Sequence, residues 1–220
     1  MKPLLKVMLI LGSLFALTFI AGRLLGILTV DNVRQSLELA ASIDPLWLAG
    51  TVILLLFIDL FVAVPTLTIT ILAGYFLGFP SGAAAAFAGM SAAAFCGYGI
   101  SRVWGDLPIS FLVRDAADRK DMSETFQRNG PVMILLSRAA PIVPEVTACM
   151  AGATNMRFSH YLLYFSLSTL PYVVIAAYAG SISSVESPQP AILATILLYA
   201  TLWIGWYLFR RRVKQDTQTP

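Results

Sequence analysis

VPTLTITILAG, residues 64–74, and VPEVTACMAG, residues 143–152, are the stretches whose reading decides the fold. Each runs Val-Pro-x-x-Thr and then into Ala-Gly, with one residue fewer in the second copy. Proline carries no backbone N–H and blocks a helix from running through it. Both copies lie in apolar surroundings, so they predict two matched breaks at membrane depth. Matched interruptions in the two halves of a membrane chain are the sequence pointer to a transport site.

The rest of the chain agrees with a membrane setting. It has 220 residues, 58% hydrophobic and 12% charged, with a mean hydropathy of +0.77. Those values define an integral membrane protein. A β-barrel is excluded because the apolar runs are continuous, as in AAAAFAGMSAAAFCGY at residues 83–98, where barrel strands alternate. The expected fold is therefore all-α. The net charge of +3 does not point to nucleic acid, because cations gather at Lys2, Lys6 and residues 210–214 beside apolar segments. That placement carries topology and anionic-lipid contact.

Segment by segment, residues 1–28 read as a first transmembrane helix, too long for a signal h-region, and 29–45 as an interfacial helix. Residues 46–78 carry Asp59 and Pro65 in their middle and read as a re-entrant segment. Phe79-Pro80-Ser81-Gly82 reads as a turn, followed by a span over 83–104 rich in the small residues that let helices approach in lipid. A charged cytoplasmic helix is expected over 106–129, a second re-entrant segment over 131–153 opened by Gly130-Pro131, and a span over 158–180 despite Pro171. The last transmembrane helix is expected at 191–209 and a basic cytoplasmic tail at 210–220. If both broken segments dip in and return, most Lys and Arg fall on the cytoplasmic side. Both termini are then cytoplasmic, and the repeats enter from opposite faces. The expectation is an inverted repeat of two re-entrant helical hairpins plus about four full transmembrane helices.

Asp59, Arg138 and Glu145 lie in the breaks, where each charge is expensive unless it faces a cavity or a partner. They are the candidate substrate- and proton-binding residues. A plain ion pair between Arg138 and one acid, fixing how the repeats dock, is the structural alternative. For Glu145, proton binding and stabilisation of a helix N-terminus both stand. Pro65 and Pro144 suit the first turn of a helix, and Pro141 belongs to the second break. Thr68 and Thr147, three residues after their prolines, are expected to bond back to carbonyls near the breaks. Gly74 and Gly152 are expected to allow close packing or a turn. Arg102 is read as snorkelling to the interface, with lipid phosphate contact as the alternative. Tyr161, Tyr164, Trp203, Trp206 and Tyr207 are assigned to interfacial belts or helix packing. Cys96, Cys149 and the single His160 suggest no metal site and no cofactor.

The pattern resembles the DedA superfamily, in its VTT-domain branch of SNARE-associated Golgi protein-like membrane proteins. The resemblance rests on AGYFLGFPSG, on Ser101-Arg102-x-x-Gly105, on Gly130-Pro131 to Arg138-x-x-Pro141-x-x-Pro144, and on Ala151-Gly152-x-x-x-Met156. It covers residues 59–180, a VTT/DedA-like domain within 46–180. It implies two inverted re-entrant hairpins and activity as a lipid scramblase or proton-coupled flippase for an anionic lipid or lipid-phosphate carrier. In that family membrane acids and arginines are important, and Asp59 and Arg138 fall near those positions. The chain departs from DedA proper at Pro65-Thr66-Leu67, which lacks the acid of the Pro-Gly-acidic element, and at Pro144, which stands where a second arginine is common. Glu145 is the candidate replacement for one of these charges.

The sequence thus leads to a membrane transporter in the cell inner membrane, not an enzyme. Its expected partners are membrane lipids (polyprenyl phosphate or phospholipid), protons as coupling ion, and further copies of the chain. A small-ion or solute transporter, and a scaffold for membrane-protein assembly or envelope integrity, are the alternatives.

Overall fold

The computed structural model describes residues 2–24, 30–62, 64–105, 115–140, 142–183 and 189–216. Among them every regular element is helical. In chain order these are α1 (Lys2–Leu24), α2 (Val30–Ile43), α3 (Pro45–Ile58), α4 (Thr66–Leu77), α5 (Phe79–Trp104), α6 (Ala116–Leu135), a 3-10 turn (Ser137–Ala139), α7 (Val143–Ala153), α8 (Phe158–Ser181) and α9 (Gln189–Asp216).

The helix lengths divide the elements into two kinds. Helices α5 and α8, with 26 and 24 apolar-rich residues, are long enough to cross a membrane, which takes about 20 residues. Helices α3, α4 and α7 have 14, 12 and 11 residues. At about 1.5 Å per residue each is roughly 16–21 Å long, too short to cross a hydrocarbon core of about 30 Å.

Local chemistry explains the boundaries. Asp44 caps α3 by accepting from Leu46 N at 2.6 Å, with Pro45 in the first turn. Gly78, at φ +79°, turns α4 directly into α5. The expected turn at residues 79–82 is therefore already helix, because Pro80 fits a first turn without losing a needed donor. A second boundary also differs from expectation. Gly130-Pro131 does not open a new segment but lies inside α6, which runs from the charged stretch into the apolar one. A proline ring clashes with the Cβ of the preceding residue, and Gly130 has none. Residues 106–114 of the expected charged helix lie outside the described residues. Helix α9 continues into the basic segment as far as Asp216.

The halves pack reciprocally. Helix α4 lies against α8, and α7 lies against α5, so these two short helices each pack on the long helix of the other half, while α3 packs on α5 of its own half. Glycines make this possible. A Cβ on Gly74 would stand 1.9 Å from Ala177 O, and one on Gly180 would stand 1.9 Å from Ile71 O. At the other crossing, a Cβ on Gly152 would stand 2.2 Å from Tyr98 O, and one on Gly105 would stand 2.8 Å from Ala153 Cβ. Close approach of backbones is the main attraction open to helices in lipid, where burial from water supplies no drive.

Candidate functional site

The reciprocal packing brings the two breaks together. In the first, α3 ends at Ile58 and the chain turns through Asp59–Val62 before α4 begins at Thr66. Asp59 is buried, and its Oδ1 accepts from Val64 N at 2.8 Å. Its carboxylate thereby closes the break, supplying the acceptor that the interrupted helix no longer provides. Pro65 is the residue immediately before α4.

The second break is built differently. Ser137 caps the end of α6 by donating from Oγ to Ile134 O at 2.7 Å, and the 3-10 turn places Arg138 inside the protein. The chain then passes through Ile142 at φ +76°. A β-branched residue there is strained, and such strain gathers at functional sites. Pro144 follows in the first turn of α7, with Glu145 beside it. Pro141 lies outside the described residues.

Asp59 and Glu145, from the two breaks, line the same two cavities. Arg138 is near enough to act on both charges, yet it forms no direct ion pair with either among the described residues. Instead its Nη2 donates to Thr169 Oγ1 at 3.2 Å, and its guanidinium lies 5.4 Å from the centre of the Tyr172 ring. The docking ion pair weighed from the sequence is thus replaced by an arginine held by two α8 side chains. Hydroxyl and ring hold the cation and leave its remaining donors for the cavity.

Two cavities meet at this group. One, of about 320 Å³, is lined by Asp59, Pro65, Thr66, Thr68, Arg138, Pro144, Glu145, Tyr172, Thr195 and Tyr199. The other has room for only about 20 Å³ and is walled by Leu56, Leu60, Met90, Ile134, Tyr161 and Phe165, about one water's worth of space. Asp59, Arg138, Pro144 and Glu145 line both. The ionisable side chains therefore stand between a wide vestibule and a cavity with room for about one water.

The remaining residues singled out from the sequence divide by position. Thr147 Oγ1 donates to Pro144 O at 2.9 Å. In the first half it is Thr70, not Thr68, whose hydroxyl bonds back, to Thr66 O at 2.7 Å. The residue four before Thr68 is Val64, whose carbonyl lies ahead of the helix and already accepts from Thr66 N. Thr68 instead lines the larger cavity. Gly74 and Gly152 meet backbone of the opposite half. Arg102 lies away from the cluster, donating to Tyr98 Oη at 2.6 Å and to Met156 O at 3.1 Å. It ties the end of α5 to the chain that leaves α7. Tyr161 is buried and stacks on Tyr98. Thr169, Tyr172, Thr195 and Tyr199 had no signal of their own in the sequence beyond being polar groups within apolar helices.

Fold and site together define a helical membrane protein with an acid–arginine cluster at two facing helix breaks. Residues 64–182, more than half of the chain, match the VTT domain, and the chain belongs to the VTT-domain family. Membership points to a transporter-like function in general. The match begins five residues beyond Asp59 and ends before α9. No curated protein and no solved structure matches the chain significantly.

Proposed function

We propose that this protein moves an anionic lipid, or the headgroup of a lipid-phosphate carrier, across the bilayer, as a scramblase or a proton-coupled flippase. The observation that carries the reading is the gathering of Asp59, Arg138 and Glu145 between two cavities at the facing breaks. Arg138 is the anion-binding group, since a guanidinium matches phosphate oxygens in a planar fork. Two acids share the site with one arginine, which pairs directly with neither among the described residues. Asp59 and Glu145 are therefore the groups we assign to proton exchange. Neither role calls for bond-making at the site, and we assign no catalytic residue.

In this reading the broken segments are re-entrant hairpins that enter from opposite faces. The crossed packing of α4 on α8 and of α7 on α5 supports such an inverted repeat. Helices α1, α5, α8 and α9 would then be the four full crossings, tilted or extended by flanking residues where their apolar stretch is short. Lys2, Lys6 and the 210–214 cluster support an orientation with both termini on the cytoplasmic side, in what we take to be the inner membrane.

The test is lipid movement in vesicles. Purified protein in liposomes should carry fluorescent phospholipid or a polyprenyl phosphate between leaflets, with or without a pH gradient. If no lipid moves under either condition, the reading is wrong, and a small ion or solute becomes the cargo to examine.

A further inference from the structure

Helix α9 lies outside the matched domain, yet it walls the vestibule. Thr195 and Tyr199, one helical turn apart, line the 320 Å³ cavity. One turn further along the same face, Trp203 lines a separate cavity of about 160 Å³ with Leu136, Ala139, Ala140 and Val143. Ala140 borders both cavities, so they are neighbours along one seam. The seam is anchored at both ends. Ser183 Oγ donates to Ala179 O at 2.6 Å and accepts from Ala191 N at 3.1 Å, which ties the start of α9 to the end of α8. Towards the other end, a Cβ on Gly205 would lie 3.0 Å from Leu136 Cδ2. The space lies between these anchors.

The chemistry of the two cavities differs sharply. The larger holds both acids, the arginine and several hydroxyls. The smaller is lined by apolar side chains. Its 160 Å³ is close to the size of an apolar protein cavity, about 150 Å³, that stays dry and accepts benzene, a hydrocarbon of about six carbons. A free inorganic anion has no use for such a space beside its site, whereas an amphiphile does.

We infer that the two cavities are compartments of one amphiphile site, the larger for an anionic headgroup and the smaller for the adjoining segment of its hydrocarbon chain, with the Thr195–Tyr199–Trp203 face of α9 as the lateral wall. This rests on the transport reading, whose cargo is an anionic lipid, and adds where the lipid's chain lies: beside α9, outside the matched domain. Trp203 is 60% exposed, so the chain compartment opens towards the bilayer. The headgroup can stay in the polar compartment while the chain remains in lipid.

Photolabelling of the full chain in phosphatidylcholine vesicles tests this, using dodecyl phosphate with a diazirine midway along its chain. Label should concentrate on Ala139, Ala140, Val143 and Trp203, and excess dodecyl phosphate should displace it while inorganic phosphate should not. Ala140→Phe puts a ring where the compartments meet, in extended backbone that any residue adopts, and should lower the label. Trp203→Ala, at an exposed position and with folding checked by size exclusion, should shift it away from α9. Arg138→Gln should reduce labelling at least about tenfold, as expected when hydrogen bonds to a charged partner are lost. Label spread evenly over outward helix faces, unchanged in Ala140→Phe and Trp203→Ala, overturns the inference, and so does equal displacement by inorganic phosphate. If lipid transport still depends on Arg138 in that case, only the chain compartment has failed. Label that stays on Trp203 in Arg138→Gln and yields equally to dodecanol would instead overturn the headgroup assignment and the transport reading beneath it.

Discussion

Replacing Gly74 with alanine places a methyl 1.9 Å from Ala177 O, 2.6 Å from Ala177 C and 2.7 Å from Ala177 Cα. All three atoms belong to the α8 backbone, so no rotamer change relieves the overlap. Carbon contacts settle at about 3.5–4.0 Å, so α4 and α8 must separate by about 1.5–2 Å. Overpacking typically costs about 1–3 kcal/mol, and contact with rigid backbone puts this case at or beyond the upper end. For a chain of this size, about 3 kcal/mol lowers Tm by about 6–12 °C. Gly180→Ala, which puts a methyl 1.9 Å from Ile71 O at the same crossing, should cost a similar amount. The double mutant should cost less than the sum, because helices already parted accommodate the second methyl. Gly50→Ala and Gly99→Ala are the controls: a Cβ at either meets nothing within 4 Å, and alanine in a helix interior is favoured over glycine by about 0.5–1 kcal/mol. Thermal unfolding in detergent, followed by size-exclusion chromatography, reads all five. If Gly74→Ala melts with Gly99→Ala, or if the double mutant is additive, the reciprocal packing is wrong.

Further outcomes follow from individual contacts. Asp59→Ala should destabilise by about 1–3 kcal/mol because it leaves the buried Val64 N–H without its acceptor, whereas Asp59→Asn keeps an oxygen there and should melt close to the wild type. Thr169→Val removes the hydroxyl that holds Arg138, so transport should fall by a larger factor than the fraction of folded protein, read by flux and melting on the same preparations. Tyr98→Phe should cost about 1 kcal/mol by melting, since the hydroxyl joins Arg102 to Met156 O while Arg102 retains its own bond to that carbonyl.

The breaks were legible because proline acts locally. Pro65 and Pro144 cannot continue a helix as ordinary residues do, and the interruptions fall beside them. The same local rule misplaced the boundary at Pro131, where Gly130 removes the clash that makes the residue before proline unfavourable for helix. Asp59, Arg138 and Glu145 stood out as charges in apolar segments, and they line the same cavities. What the sequence withheld was direction. In a membrane helix both the packed face and the lipid face are apolar, so no polar–apolar periodicity shows which side of α8 carries Thr169 and Tyr172 inward, or which side of α9 carries Thr195 and Tyr199. The reciprocal glycines were visible as small residues, but the pairing of Gly74 with α8 and Gly152 with α5 requires the crossed packing of halves, which no local pattern encodes.

The most direct measurement of the central claim is phospholipid and polyprenyl-phosphate translocation in proteoliposomes by wild type, Asp59→Asn and Arg138→Gln, with the folding of each checked by size exclusion. The account predicts lipid movement by wild type and its loss in both variants while they remain folded, because the acid and the arginine act at one site between the breaks. Undiminished transport by folded Asp59→Asn and Arg138→Gln would contradict it.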